Sequence, residues 1–185
     1  TGSTFEQYEI SDRKQWEQIR EAYYQNTQIL IALPLYVECI PGLLMEFLET
    51  LKKREDGASM SFLLQSGFAE GCQLRCGEAY LEKLAGYLGC KYGGTLVKGD
   101  NFSIRFMGGE TVSKITGAYT EMGREYGKTG TFFSDQCKAF TGPEILPFHV
   151  RVMVGFFQLI LQKKLFGKIA AGWGCTKPLD DQPYA

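Results

Sequence analysis

Short apolar runs alternate with amphipathic segments along most of the chain. Residues 29–33 form an unbroken apolar run that Pro34 ends, a pattern typical of a central parallel strand covered on both faces. Residues 60–64 predict a second strand, and residues 91–97, rich in Tyr and Thr but interrupted by two glycines, predict a third. Residues 5–10 predict a weaker strand at an edge of the sheet.

Helical spacing of apolar residues recurs between these runs. It predicts helices over residues 13–25, from Pro41 to about residue 51, around residues 81–88 and over residues 112–126. Strands that alternate with helices in this way form parallel sheets with right-handed crossovers. The pattern therefore predicts an α/β domain.

The last part of the chain has a different pattern. After two prolines within residues 142–147, residues 148–172 are helical in propensity, and the first half of this helix is apolar nearly all round. We expect one domain over residues 1–185 with a helical extension from about residue 148. Such a helix must be covered. Three arrangements would cover it: packing under the sheet, a subunit interface, or a position on a membrane surface with its lysines toward the lipid headgroups.

Composition narrows the class of protein. Apolar residues make up 44% and charged residues 22%, as in ordinary globular domains, and the formal net charge of -1 gives no basic surface for nucleic acid. No apolar stretch reaches the length of a membrane span. Six scattered cysteines in a chain of this length indicate reduced thiols and a cytoplasmic protein. The pair Cys72 and Cys76 is not a specific metal motif, and with a single histidine we predict no metal site.

Two loops follow the first two predicted strands, at the sheet edge where ligands of parallel α/β proteins bind. Residues 34–42 (PLYVECIPG) have a backbone stiffened by prolines and offer the flat ring of Tyr36. Residues 66–71 (SGFAEG) have small residues that let a ligand approach the main chain beside Phe68. This pattern favours a planar heteroaromatic ligand between the loops. The alternative, in which both rings only cap the core, stays open.

These two loops carry a resemblance to a known family. The apolar strand running into PLYVECIPG, and the next strand running into SGFAE, resemble two flavin-contacting regions of flavodoxin-like NAD(P)H-dependent FMN reductases. The resemblance extends from residue 5 to about residue 130. It implies a flavodoxin-like three-layer sandwich whose parallel sheet has strand order 2-1-3-4-5. It also implies that the flavin ring is bordered by Pro34, Leu35, Tyr36, Val37, Gly67 and Phe68.

The resemblance further implies a reaction. FMN would be the cofactor and NAD(P)H the co-substrate, with hydride passing through the flavin to a small-molecule or protein acceptor, so no catalytic acid or base is needed. The aromatic residues after residue 98 suggest a lid or a subunit contact, and we expect a homodimer. The alternatives are an electron carrier of flavodoxin type, and an interaction protein that has the same scaffold without a cofactor.

One family feature is lacking in this sequence. Family members begin with an apolar strand and a loop rich in Ser, Thr, Gly and Asn that binds the FMN phosphate, whereas residues 1–4 (TGST) are at best a remnant of such a loop. On the family order, the lacking strand would lie between the strands predicted at residues 5–10 and 29–33. We therefore expect that the natural protein has a segment before Thr1.

Overall fold

A computed structural model describes residues 4–101, 104 and 107–181 of the chain. Its sheet has three parallel strands, β1 (Gln28–Pro34), β2 (Ser59–Gln65) and β3 (Lys91–Lys98), in the order β1-β2-β3. This confirms the predicted α/β class with a parallel sheet. Strands 3, 4 and 5 of a 2-1-3-4-5 sheet lie side by side in the same way.

Helices follow each strand. The described helices are α1 (Trp16–Gln25), α2 (Gly42–Leu48), α3 (Arg75–Tyr87), α4 (Gly109–Thr129), α5 (Asp135–Phe140), α6 (Phe148–Ile160) and α7 (Gln162–Gly172). Short 3-10 turns precede α1 and α3. The predicted helix after Pro41 ends at Leu48, earlier than expected, because the next residues form a turn in which the Thr50 hydroxyl donates to the Phe47 carbonyl (2.7 Å).

Side chains of neighbouring strand residues point to opposite faces of the sheet and so define two apolar layers. On one face, Phe62, Leu64 and Val97 belong to a buried cluster with residues of α1, α2 and α3. On the other face, Leu96 packs with Met122 of α4 and with residues of the α5 region, and Leu63 lies against the same cluster. The sheet is therefore the middle of three layers, as predicted.

Two predictions about the start of the sheet are wrong. Residues 5–10 form no strand, and Phe5 is 85% exposed, because the polar groups near residue 9 bond to the start of α1 instead of to a neighbouring strand. The run 29–33 is not central: among the described residues β1 is an edge strand. Helices α4 and α5 cover β2 and β3 on the second face, so Leu30 of β1 stays 47% exposed there.

The chain divides into two compact units, residues 1–145 and 146–185. The second unit holds α6 and α7, which contact each other, so the predicted helix over residues 148–172 is interrupted at Leu161. Neither helix has a buried side chain, and large apolar residues of α6 such as Phe148 and Leu159 are exposed. Within the described ranges, no helix is both long and apolar enough to cross a bilayer.

Candidate functional site

Three loops leave the carboxyl edge of the sheet side by side. Pro34 pairs with Gln65 in the register of β1 and β2, and Gln65 pairs with Lys98 in that of β2 and β3. Backbone hydrogen bonds continue past these pairs: the Leu35 N–H donates to the Gln65 carbonyl (2.7 Å) and the Ser66 N–H to the Lys98 carbonyl (3.0 Å). The first loop, residues 34–42, therefore starts beside the second, residues 66–71.

The first loop contains a tight reverse turn. Tyr36 and Cys39 exchange two backbone hydrogen bonds of 2.9 and 3.1 Å, and the two residues between them have positive φ angles, 47° at Val37 and 68° at Glu38. Positive φ at both central positions is typical of a type I′ turn, which usually holds glycine or asparagine. A β-branched valine in this region costs on the order of 1–3 kcal/mol of backbone strain. The turn holds Tyr36 and Val37 out toward solvent.

Leu35 anchors this turn to the core. Its side chain is 4% exposed, and a Cβ built on Gly77 of α3 would lie 3.0 Å from its Cδ1 atom. A side-chain carbon at Gly77 would be in tighter than ordinary contact with Leu35, so glycine favours this close approach of helix and loop. The first turn of α3 therefore packs directly against the start of the first loop.

The second loop exposes Gly67 and Phe68 while its first residue is buried. Ser66 is 5% exposed, and its hydroxyl accepts the Phe68 backbone N–H at 3.3 Å, which is a local turn typical of serine. The ring of Phe68 is 45% exposed. At the end of the loop, the Gly71 N–H donates to the Pro143 carbonyl (2.9 Å), so both ends of the loop are held by the body of the domain.

A third loop, residues 99–101, fixes the second one. The Asp100 N–H donates to the Phe68 carbonyl (2.7 Å) and the Asn101 N–H to the Ser66 carbonyl (3.0 Å). A Cβ on Gly99 would lie 2.2 Å from the Phe68 carbonyl oxygen, so this close approach requires glycine. The sequence argument did not identify the role of this loop. A glycine two residues after the strand predicted at residues 91–97 was the available signal.

The Asn101 side chain connects this loop to α4. Its amide donates to the Gln65 side chain (3.2 Å) and to the Tyr119 hydroxyl (2.8 Å). Burial raises the pKa of the Tyr119 hydroxyl, partly offset by the hydrogen bond from Asn101. Tyr119 is therefore a neutral phenol near neutral pH and can accept this hydrogen bond.

Charge near the second loop is mostly paired. Arg75, at the start of α3, forms ion pairs with Glu78 (2.5 Å) and Glu144. The hydrogen bonds from Arg75 hold the pKa of the Glu144 carboxyl below its usual range. Among the described residues, no group of three or more His, Cys, Asp or Glu side chains is placed to hold a metal ion.

The residues singled out in the sequence have different environments. Tyr36 is 66% and Val37 78% exposed, and Gly67 and Phe68 are also exposed, whereas Pro34 is half-buried and Leu35 is buried. Leu35 and Ser66 occupy the buried positions of the two loops, which counts against the alternative that Tyr36 and Phe68 only cap the core.

Comparisons with known proteins do not show a family for this chain. No family model matches the chain, and no curated protein matches it. A solved structure described as a protein (NADPH-quinone reductase) from P. pentosaceus is 16% identical, with a TM-score of 0.46 over 63% of this chain and 77% of that chain. The fold class stated above rests on the strands and helices of this chain.

Proposed function

We propose that this chain is an FMN-dependent oxidoreductase that passes hydride from NAD(P)H, through the flavin, to a small-molecule or protein acceptor. The observation that carries the proposal is that two loops with exposed aromatic residues, Tyr36 and Phe68, start from paired positions on adjacent parallel strands. Loops at the carboxyl ends of such strands are the usual ligand sites of open α/β sheets.

The exposed groups suit the flat, uncharged part of a flavin. Tyr36 and Val37 offer apolar surface on one side, and the small residue Gly67 leaves the main chain of the second loop accessible beside Phe68. Pro34 and Leu35 would hold the first loop in place, Leu35 from inside the core. Residues 1–3, which belong to the segment considered for the FMN phosphate, lie outside the described residues. The proposed fit therefore concerns the flavin ring alone.

Each part of the chain would have a separate task. When bound, FMN supplies the two-electron chemistry that links a nicotinamide to an acceptor. The reverse turn would orient Tyr36 and Val37 against the ring, at the cost of the strain at Val37. The bonds from Asp100 and Asn101 would hold the second loop rigid, because a preorganised site loses less entropy on binding.

The test is a titration of the full chain with FMN, followed by flavin fluorescence, and then addition of NADPH under anaerobic conditions. We expect saturable binding and loss of the visible flavin absorbance after NADPH. Tyr36→Ala should weaken FMN binding about tenfold, since stacking of a flat ring on an aromatic side chain is worth about 1–3 kcal/mol.

Tyr87→Ala is the matched control. Tyr87 is 79% exposed at the last residue of α3, away from the loop end where that helix begins, so FMN affinity should not change. Binding without bleaching by NADPH or NADH would favour the electron carrier. If neither FMN nor riboflavin binds, the cofactor-free interaction protein is favoured and the proposal is wrong.

A further inference from the structure

Two cysteines on different elements lie next to each other beside the first loop. Cys39 ends the reverse turn and Cys76 is in the first turn of α3, and both are exposed, free thiols. The Cys76 sulfur lies 4.0 Å from the carbonyl oxygen of Glu38, the residue that precedes Cys39. These two cysteines are therefore neighbours in space although 37 positions separate them in the sequence.

Covalent geometry limits the distance between them. The Glu38 oxygen and the Cys39 Cα belong to one peptide unit and are about 2.8 Å apart, so the Cys39 Cα is within about 7 Å of the Cys76 sulfur. A cysteine's Cα and sulfur are themselves about 2.8 Å apart, so the two Cα atoms lie within about 10 Å of each other. A disulfide joins Cα atoms that are about 4.4–6.8 Å apart. At the far end of the range given by the hydrogen bond, the exposed turn has to move by about 3 Å before the bond forms, and rotation of the two side chains then brings the sulfur atoms together.

The surroundings keep the pair together. Leu35 and Gly77 are in direct contact beside the pair, so α3 and the first loop cannot drift apart without opening the core. Groups held at a fixed short distance react as if at high concentration. Cys72 and Cys175 are also exposed thiols, and Cys72 is four residues before Cys76, so they provide internal comparisons.

We propose that Cys39 and Cys76 form a reversible intramolecular disulfide that ties the reverse turn to α3. The oxidant would be a low-molecular-weight disulfide. The thiolate of one cysteine attacks it, forms a mixed disulfide and releases one small thiol. The thiolate of the other cysteine then attacks the protein sulfur of this mixed disulfide and releases the second small thiol. Two protein thiols are oxidised by two electrons, one small disulfide is reduced, and the two protein protons end on the released thiols.

The test uses the full chain, first reduced and then equilibrated with glutathione buffers of increasing oxidised fraction. After acid quenching and alkylation, trypsin leaves Cys39, Cys72 and Cys76 on separate peptides, residues 21–52, 55–75 and 76–83. We expect the first and third peptides to be joined by a disulfide, with a mass two hydrogens below the sum of the two free peptides. A reductant should separate this pair. Mixing isotope-labelled and unlabelled chains should give no mixed-isotope pair, because the bond forms within one chain.

Single variants give the controls. Cys72→Ser should leave the linked pair unchanged. Cys39→Ser should abolish it and leave Cys76 as a glutathione mixed disulfide, while circular dichroism shows an unchanged fold. The proposal is overturned if Cys39 and Cys76 each carry glutathione without becoming linked, if Cys76 links to Cys72 instead, or if the link joins two chains. None of these readouts depends on flavin binding, so the proposed function can fail or hold independently.

Discussion

Substitution of Gly99 by alanine tests whether the third loop determines the position of the second. The added methyl group would lie 2.2 Å from the Phe68 carbonyl oxygen, although side-chain carbons essentially never come closer than 3.0 Å to another heavy atom. The obstacle is backbone, which cannot rotate away as a flexible side chain could. Phe68 or Gly99 must therefore move by about 1 Å, and the hydrogen bond from the Asp100 N–H to the Phe68 carbonyl must lengthen or break.

The size of the effect follows from these two losses. The hydrogen bond contributes about 1 kcal/mol, and overpacking at a rigid site costs about 1–3 kcal/mol. We expect Gly99→Ala to lower the free energy of unfolding by about 3 kcal/mol. With a urea dependence of about 2 kcal/mol per molar, the midpoint of urea unfolding falls by about 1.5 M.

The assay is urea unfolding followed by circular dichroism, with Gly117→Ala as the matched control. Gly117 lies inside α4, and its added methyl group would meet no atom within 4 Å. Alanine in a helix interior is favoured over glycine by about 0.5–1 kcal/mol, so this midpoint should rise. If the midpoint of Gly99→Ala stays within about 0.3 M of the wild type, the second loop is not held as described.

Three further predictions concern other parts of the domain. Arg54→Met should lower the free energy of unfolding by about 3 kcal/mol, because the buried guanidinium donates to three carbonyls at the end of α1 and pairs with Asp56. Arg54→Lys should not restore this stability, since an ammonium cannot make the same set of bonds, and urea unfolding measures both variants. Burial raises the pKa of the Cys90 thiol, so the unfolded chain loses this proton at a lower pH than the folded protein does. The stability that the neutral thiol contributes is complete below the unfolded pKa of about 8.5 and is lost as pH rises through the folded pKa. Cys90→Ala should weaken the alkaline fall of the urea midpoint, and an unchanged pH dependence would contradict this. The backbone N–H groups of Leu30 and Ala32 point away from β2, whereas that of Ile31 points toward it. Hydrogen exchange should therefore be at least about tenfold faster at Leu30 and Ala32 than at Ile31. Equal protection would mean that another strand pairs with this edge.

Local sequence patterns were sufficient for the elements of the fold. Short apolar runs located the three strands, and helical spacing located α1, α3 and α4. Because carboxyl ends of parallel strands share one edge, the same patterns also put Tyr36 and Phe68 in adjacent loops. Each of these inferences needs only neighbours in sequence and the geometry of a parallel sheet.

The tertiary structure decided what depends on partners distant in sequence. The apolar run at residues 29–33 predicted a strand covered on both faces. Which strands and helices cover β1 depends on tertiary packing, which left Leu30 exposed. Residues 5–10 had strand propensity without a strand to pair with, so their polar groups bonded to the start of α1. The approach of Gly99 to Phe68, and that of Cys76 to the turn ending at Cys39, join segments more than 30 residues apart. Such contacts arise only when separate elements pack, because no local periodicity specifies them.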